Sequence, residues 1–136
     1  MDSAEYKRAF SGDRELITDE DAPDKDGNAI SYTCEYLRTS SHEPAGTLVV
    51  FASPGERSEK TSLKTAATIC SGAPKFLPGN AFYCDYQHDQ YEYTYLAVVK
   101  FSHGEMRIAM VTGDLAPDPT RADQYTSVAK SLTERL

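Results

Sequence analysis

From Ile30 to Tyr36 the chain alternates: Ile30, Tyr32, Cys34 and Tyr36 are separated by Ser31, Thr33 and Glu35. That period of two predicts a half-buried strand. Thr47 to Ala52 is a continuous apolar run, which predicts a central strand ended by Pro54-Gly55. Ala81 to Tyr86 reads as a short aromatic strand, followed by a turn over Gln87 to Gln90. Tyr91 to Phe101 and Glu105 to Thr112 read as two more strands, joined across Ser102-His103-Gly104. The period then changes. Leu63, Ala66, Ala67 and Cys70 recur at helical spacing, so a helix is expected from Ser58 to Cys70, with Ser58 as cap and Gly72 and Pro74 as stop. Ala122, Tyr125, Val128, Ala129, Leu132 and Leu136 form a longer apolar face behind an Asp118 cap and Pro119. Tyr6 and Phe10 could share one face of a short helix over 3–10, broken at Gly12-Asp13.

Hairpins with short turns favour antiparallel pairing, and amphipathic helices need an apolar sheet face as partner. The expected fold is α+β, a mainly antiparallel five-stranded sheet packed against two amphipathic helices in the order β-β-α-β-β-β-α. It has two layers, or three if the helices divide between faces. Residues 1–29 are expected to form an acidic, partly flexible N-terminal segment ahead of a single domain over 30–136. Pro23 to Asn28 reads as a turn-rich stretch within that segment.

Charge sharpens this picture. The 136 residues carry 14 Lys+Arg against 21 Asp+Glu, a net charge of −7. Nine carboxylates and four bases fall in residues 1–30, so that segment holds −5 of the total. A nucleic-acid partner needs a basic surface and is not expected. No run of 18 apolar residues occurs, so no transmembrane segment is expected. Met1 leads directly into Asp2, Ser3 and Glu5; the chain reads as cytosolic or as the mature part of an exported protein.

Several patterns resemble chemistry without completing it. Asp24-Lys25-Asp26-Gly27-Asn28 lacks the EF-hand ligands, because Ala22 and Thr33 stand where oxygen donors belong. His42, His88 and His103 all fall in turns, and nothing in their spacing makes them converge on a metal. Ser127-Val128-Ala129-Lys130 matches Ser-x-x-Lys without its companion motifs, and reads as the outer face of a helix. No metal, cofactor or catalytic residue is assigned, and an enzyme is not expected. Cys70 and Cys84 flank a Gly/Pro-rich loop that a disulfide would close with roughly 3 kcal/mol of stabilisation. Pairings that use Cys34, or three free thiols, are the alternatives. Tyr83, Tyr86, Tyr91, Tyr93 and Tyr95 lie within 13 residues. Such tyrosines either pack across strands or form a recognition surface. In the second case Tyr86, His88, Tyr91, Tyr93 and Tyr95 are the candidate ligand-binding residues.

Glu15-Leu16-Ile17-Thr18-Asp19-Glu20, Cys34-Glu35-Tyr36 and Ala81-Phe82-Tyr83-Cys84, ahead of two strands and a terminal helix, resemble soluble domains of small actinobacterial lipoproteins. The resemblance implies a PsbP-like sheet-and-helix fold and a non-enzymatic, extracytoplasmic domain, secreted or held by a lipid anchor. The leading functional expectation is an accessory or sensor-like binding module. It would take a small apolar or glycan ligand on the tyrosine face or in the cleft between sheet and helices. The alternative is an inhibitor or immunity protein for a basic partner enzyme, with Asp19, Glu20, Asp21, Phe76 and Leu77 as its contact residues. A small hydrolase is the third.

Overall fold

A computed structural model describes residues 1–11, 15–26, 29–55 and 58–136. The fold is α+β around one antiparallel sheet. The strands are β1 (Leu16–Glu20), β2 (Asp24–Asp26), β3 (Ala29–Arg38), β4 (Pro44–Pro54), β5 (Lys75–Leu77), β6 (Ala81–His88), β7 (Tyr91–Ser102) and β8 (Glu105–Gly113). They run in the order β1-β3-β4-β8-β7-β6-β5, with β2 also pairing β3. Among the described residues the sheet path therefore has seven strands rather than the five expected from the pattern. The α-helices among the described residues number three rather than two: α1 (Ser3–Tyr6), α2 (Glu59–Ala66) and α3 (Ala122–Arg135).

The extra elements lie where local pattern is weakest. β1 has one half-buried residue and four exposed ones, so it has no alternation to read. Its strand character comes from pairing with β3, Leu16 opposite Arg38 through Glu20 opposite Cys34. β5 occupies the stretch read as a loop around Phe76 and Leu77, and is held by Phe82 opposite Phe76 on β6. β6 runs on to His88, and its hairpin turns at Asp89 and Gln90, both with positive φ. The Gly12-Asp13 break and the Gly27-Asn28 part of the turn lie outside the described residues.

The helices divide between the faces and give three layers. On one face α1, the π-helical turn Lys7–Ser11 and α3 cover Tyr36, Leu48, Tyr83, Leu96, Val98, Ala109 and Val111. On the other face α2 places Leu63 on Phe82, Cys84, Tyr95, Ala97, Val99 and Met106. The starts of α2 and of the 3-10 turn Pro119–Arg121 that leads into α3 follow their sequence signals. α2 stops at Ala66, short of the expected Cys70, and passes into a 3-10 turn over Ala67–Ile69. Thr61 N–H donates to Ser58 Oγ at 3.5 Å, and Thr120 N–H donates to Asp118 Oδ1 at 2.9 Å. The Thr120 hydroxyl and amide hold the Asp118 carboxyl below its usual range.

The segment set apart as acidic and partly flexible contributes Tyr6, Ala9 and Phe10 to the core, all essentially inaccessible to solvent. Asp2 and Glu5 form a capping box: Glu5 N–H donates to Asp2 Oδ1 at 2.9 Å and Asp2 N–H to Glu5 Oε2 at 3.1 Å. Glu5 also accepts from the Ser131 hydroxyl and from Arg135 on α3. Tyr6 stacks on Tyr36 with ring centres 3.9 Å apart and planes 5° apart. The Tyr6 hydroxyl donates to Thr112 O at 2.8 Å, and the Tyr36 hydroxyl to Met1 O at 2.7 Å.

Two glycines make this approach possible. Gly46 and Gly113 are cross-strand partners. A Cβ on Gly46 would collide with Tyr6 Oη and Thr112 O, and one on Gly113 would lie 2.5 Å from Phe10 Cβ. Together they form a notch in the sheet that seats both rings.

Burial pushes the Tyr6 and Tyr36 hydroxyls well above their usual value of about 10, and takes Tyr95 up to about 12. Raised folded-state values keep this stability intact below pH about 10, the unfolded value, and remove it as pH climbs toward and past 12. The test is an alkaline titration followed by tyrosinate absorbance. Tyr6, Tyr36 and Tyr95 should ionise only in a cooperative step that coincides with loss of circular dichroism. A single curve for all nine tyrosines near pH 10, with the fold intact, would contradict this burial.

Candidate functional site

The five aromatic candidates come together on one face of the β6–β7 hairpin. The register sets His88 opposite Tyr91, Tyr86 opposite Tyr93 and Cys84 opposite Tyr95. Tyr86 lies at the centre, with ring centres 6.1 Å from His88, 6.2 Å from Tyr93 and 6.4 Å from Tyr95. Beyond it the contacts continue from Tyr95 to Phe82 at 5.7 Å and from Phe82 to Phe76 at 6.3 Å. The five residues differ in accessibility. Tyr95 is buried under α2 and serves as packing, Tyr86 and Tyr93 are half-buried, and Tyr91 is 67% exposed. His88 and its partner Asp89, 3.2 Å away, are both open to solvent.

α2 ends before this hairpin tip. Its N-terminal turn is tied to the β5–β6 connection, where Asn80 Nδ2 donates to Glu59 Oε2 at 2.8 Å. Its C-terminal end is tied to β6, because Cys70 and Cys84 lie at disulfide distance with Cα atoms 5.8 Å apart. Ser71 then completes the free edge of β6: its N–H donates to Asp85 O, and its Oγ accepts from Gln87 N–H, both at 2.8 Å. The helix is therefore pinned over β6 and β7, with Leu63 also reaching Met106 on β8.

The other half of that sheet face has no such cover among the described residues. Met110 pairs with Val49 and Ile108 with Phe51, and all four are half-buried. Between this floor and α2 runs a cleft of about 430 Å³, lined by Thr61, Ser62, Thr65, Ala66, Ile108 and Met110. Ligand sites of this size commonly combine an apolar floor with a few polar groups. Sequence reasoning foresaw a cleft between sheet and helices but did not name these residues. The available signal was a mismatch: Met106, Ile108 and Met110 on β8 and the apolar β4 run need cover, and the apolar stripe of α2 is short.

Two further depressions have other character. The larger, about 620 Å³, opens at Glu15, Arg38, Thr39 and Ser40, where Arg38 is already engaged by Asp114. The smaller, about 250 Å³, lies on the α3 face at Lys75, Tyr83, Asp85, Glu92, Pro117 and Pro119. There the Asp85 carboxyl, through a hydrogen bond and its charge, pushes Glu92 above its usual range.

The acidic and hydrophobic contact candidates do not share a surface. Asp19, Glu20 and Asp21 lie at the β1 edge, while Phe76 and Leu77 are on β5 at the opposite edge. Six strand spacings separate them, roughly 29 Å. Phe76 is 63% exposed, whereas Leu77 turns to the other face and packs against the core. The histidines are also scattered: His42 follows β3, His88 ends β6, and His103 is in the β7–β8 turn at the other end of the sheet. Ser127 and Lys130 are both exposed on α3. No family model, curated protein or solved structure matches the chain.

Cys34 is the remaining cysteine, a buried free thiol that burial pushes above its usual value. A thiol reagent should find no reactive group in the native, unreduced protein and one after unfolding. After unfolding with reductant it should find three, and reduction alone should lower stability by about 3 kcal/mol. Three thiols before reduction, or a reactive Cys34 in the native state, would contradict the arrangement.

Proposed function

We propose that this protein is a binding module whose ligand site is the cleft between α2 and β8. One observation carries the reading. α2 is held at both ends over β6 and β7, which leaves a 430 Å³ cleft with an apolar floor beside it. The lining side chains are aliphatic or hydroxyl-bearing, so they offer contact area and hydrogen bonds without a proton-transferring group. A small, mainly apolar ligand with a polar end toward Thr61, Ser62 or Thr65 fits that lining. The Cys70–Cys84 pair supports an extracytoplasmic setting, since disulfides persist in oxidising compartments. A secreted or lipid-anchored accessory domain, as the actinobacterial lipoprotein resemblance implies, agrees with both features. Inhibition of a basic enzyme has less support, because the acidic residues and Phe76 lie at opposite edges of the sheet.

The neutral dye N-phenyl-1-naphthylamine tests the site. Its fluorescence should rise on binding, with methyl shifts concentrated at Ile108 and Met110. Ala66→Phe, which fills the cleft from a half-buried position, should weaken binding at least about tenfold, or about 1.4 kcal/mol, while the protein stays folded. Unchanged binding by that variant, or shifts confined elsewhere, would overturn the assignment.

A further inference from the structure

Among the described residues two polar side chains are buried, those of Ser62 and Thr94. The Thr94 hydroxyl is satisfied within the protein, donating to Leu115 O at 2.7 Å. Ser62 is only 6% exposed, yet its hydroxyl has no such partner among the described residues. It lines the cleft between α2 and β8. The neighbouring hydroxyls differ from it. Thr65 Oγ1 already donates to Thr61 O at 3.1 Å, and Thr61 and Thr65 are both exposed to solvent. The lining carries no ionisable side chain, because Glu59, Lys60 and Lys64, the charged residues of α2, do not contribute to it.

We infer that Ser62 determines the specificity of this cleft, selecting a neutral ligand that carries a hydrogen-bonding group (a hydroxyl, carbonyl or amide) on an apolar body. The inference rests on the cleft being the ligand site. While the cleft is open, water serves the Ser62 hydroxyl. A purely apolar ligand that seals the cleft displaces that water and leaves a buried polar group without a partner, which is unfavourable. A ligand that brings its own donor or acceptor avoids this, since a serine hydroxyl both donates and accepts. An ionised end is disfavoured for a separate reason: it would give up its hydration with no counter-charge in the lining. Discrimination therefore runs against both a bare hydrocarbon and an apolar carboxylate.

The test titrates the whole protein at about pH 7 with naphthol, which is neutral there as phenols are, with ionised naphthoate and with naphthalene. Each is read by displacement of N-phenyl-1-naphthylamine and by methyl shifts at Ile108 and Met110. Naphthol should bind at least about tenfold more tightly than naphthoate. Ser62→Ala should weaken naphthol by about two- to tenfold, the range of one net hydrogen bond, yet bind naphthalene at least as well as the parent protein does. Equal affinity for naphthol and naphthoate, no effect of Ser62→Ala on naphthol, or the same loss for naphthol and naphthalene would overturn the inference and leave the cleft as the site. No displacement by any of the three, or shifts away from Ile108 and Met110, would overturn the cleft reading and this inference with it.

Discussion

Five aromatic rings run in contact beneath α3 and connect the N-terminal residues to both halves of the sheet. Tyr36 on β3 stacks on Tyr6, Tyr6 touches Phe10 at 5.3 Å, Phe10 meets Tyr125 at 5.8 Å, and Tyr125 meets Tyr83 on β6 at 4.6 Å. Tyr125 also accepts a hydrogen bond from Asp118 N–H, which fixes the entry to α3. This row fits only because Gly46 and Gly113 leave the middle of the sheet bare of side chains. Core side chains pack at crystal-like density, so one added methyl group in such a notch is felt across its neighbours.

The asymmetry of the molecule follows from that seat. With α1 and α3 both on one face, the other face has, among the described residues, the short α2, pinned over β6 and β7. Among the described residues half of that face stays open, and the cleft beside α2 is the boundary between the covered and open halves. The sheet edges are protected by different means. β1 and β2 line the free side of β3 with Asp19, Glu20, Asp21 and Asp24, and Pro23 interrupts them. Charges, proline and short strands are the usual guards against edge-to-edge association. The concentration of acid in the first thirty residues thus has a structural reason before any partner is invoked. At the opposite edge β5 is only three residues long, and Ser71 takes over where it ends.

How much was legible in the sequence depended on whether the cause was local. β3, β7 and β8 carry their alternation within themselves, β4 and β6 show as apolar and aromatic runs, and α3 carries its own stripe. Ser58 and Asp118 cap as their side-chain chemistry requires, and the Cys70–Cys84 clasp was readable from the loop composition it closes. β1 and β5 were not readable, because an edge strand with exposed residues is defined by its neighbour's hydrogen bonds. The burial of Tyr6 and Phe10 was hidden for a similar reason: the notch that receives them is built by Gly46 and Gly113, both distant in the chain. The tyrosine face was legible from alternation, and its register brings the named residues together. How far α2 extends over it was not, and that extent separates the packed Tyr95 from the exposed Tyr91.

The most direct measurement is the unfolding free energy of Phe10→Ala, taken from urea denaturation and read with a probe on the far side of the sheet, such as the amides of β6. If the N-terminal rings are part of the single core, the variant should lose about 3–5 kcal/mol and unfold in one transition at every probe. A loss within about 0.5 kcal/mol, the size expected for a side chain on a detached surface arm, would contradict the account.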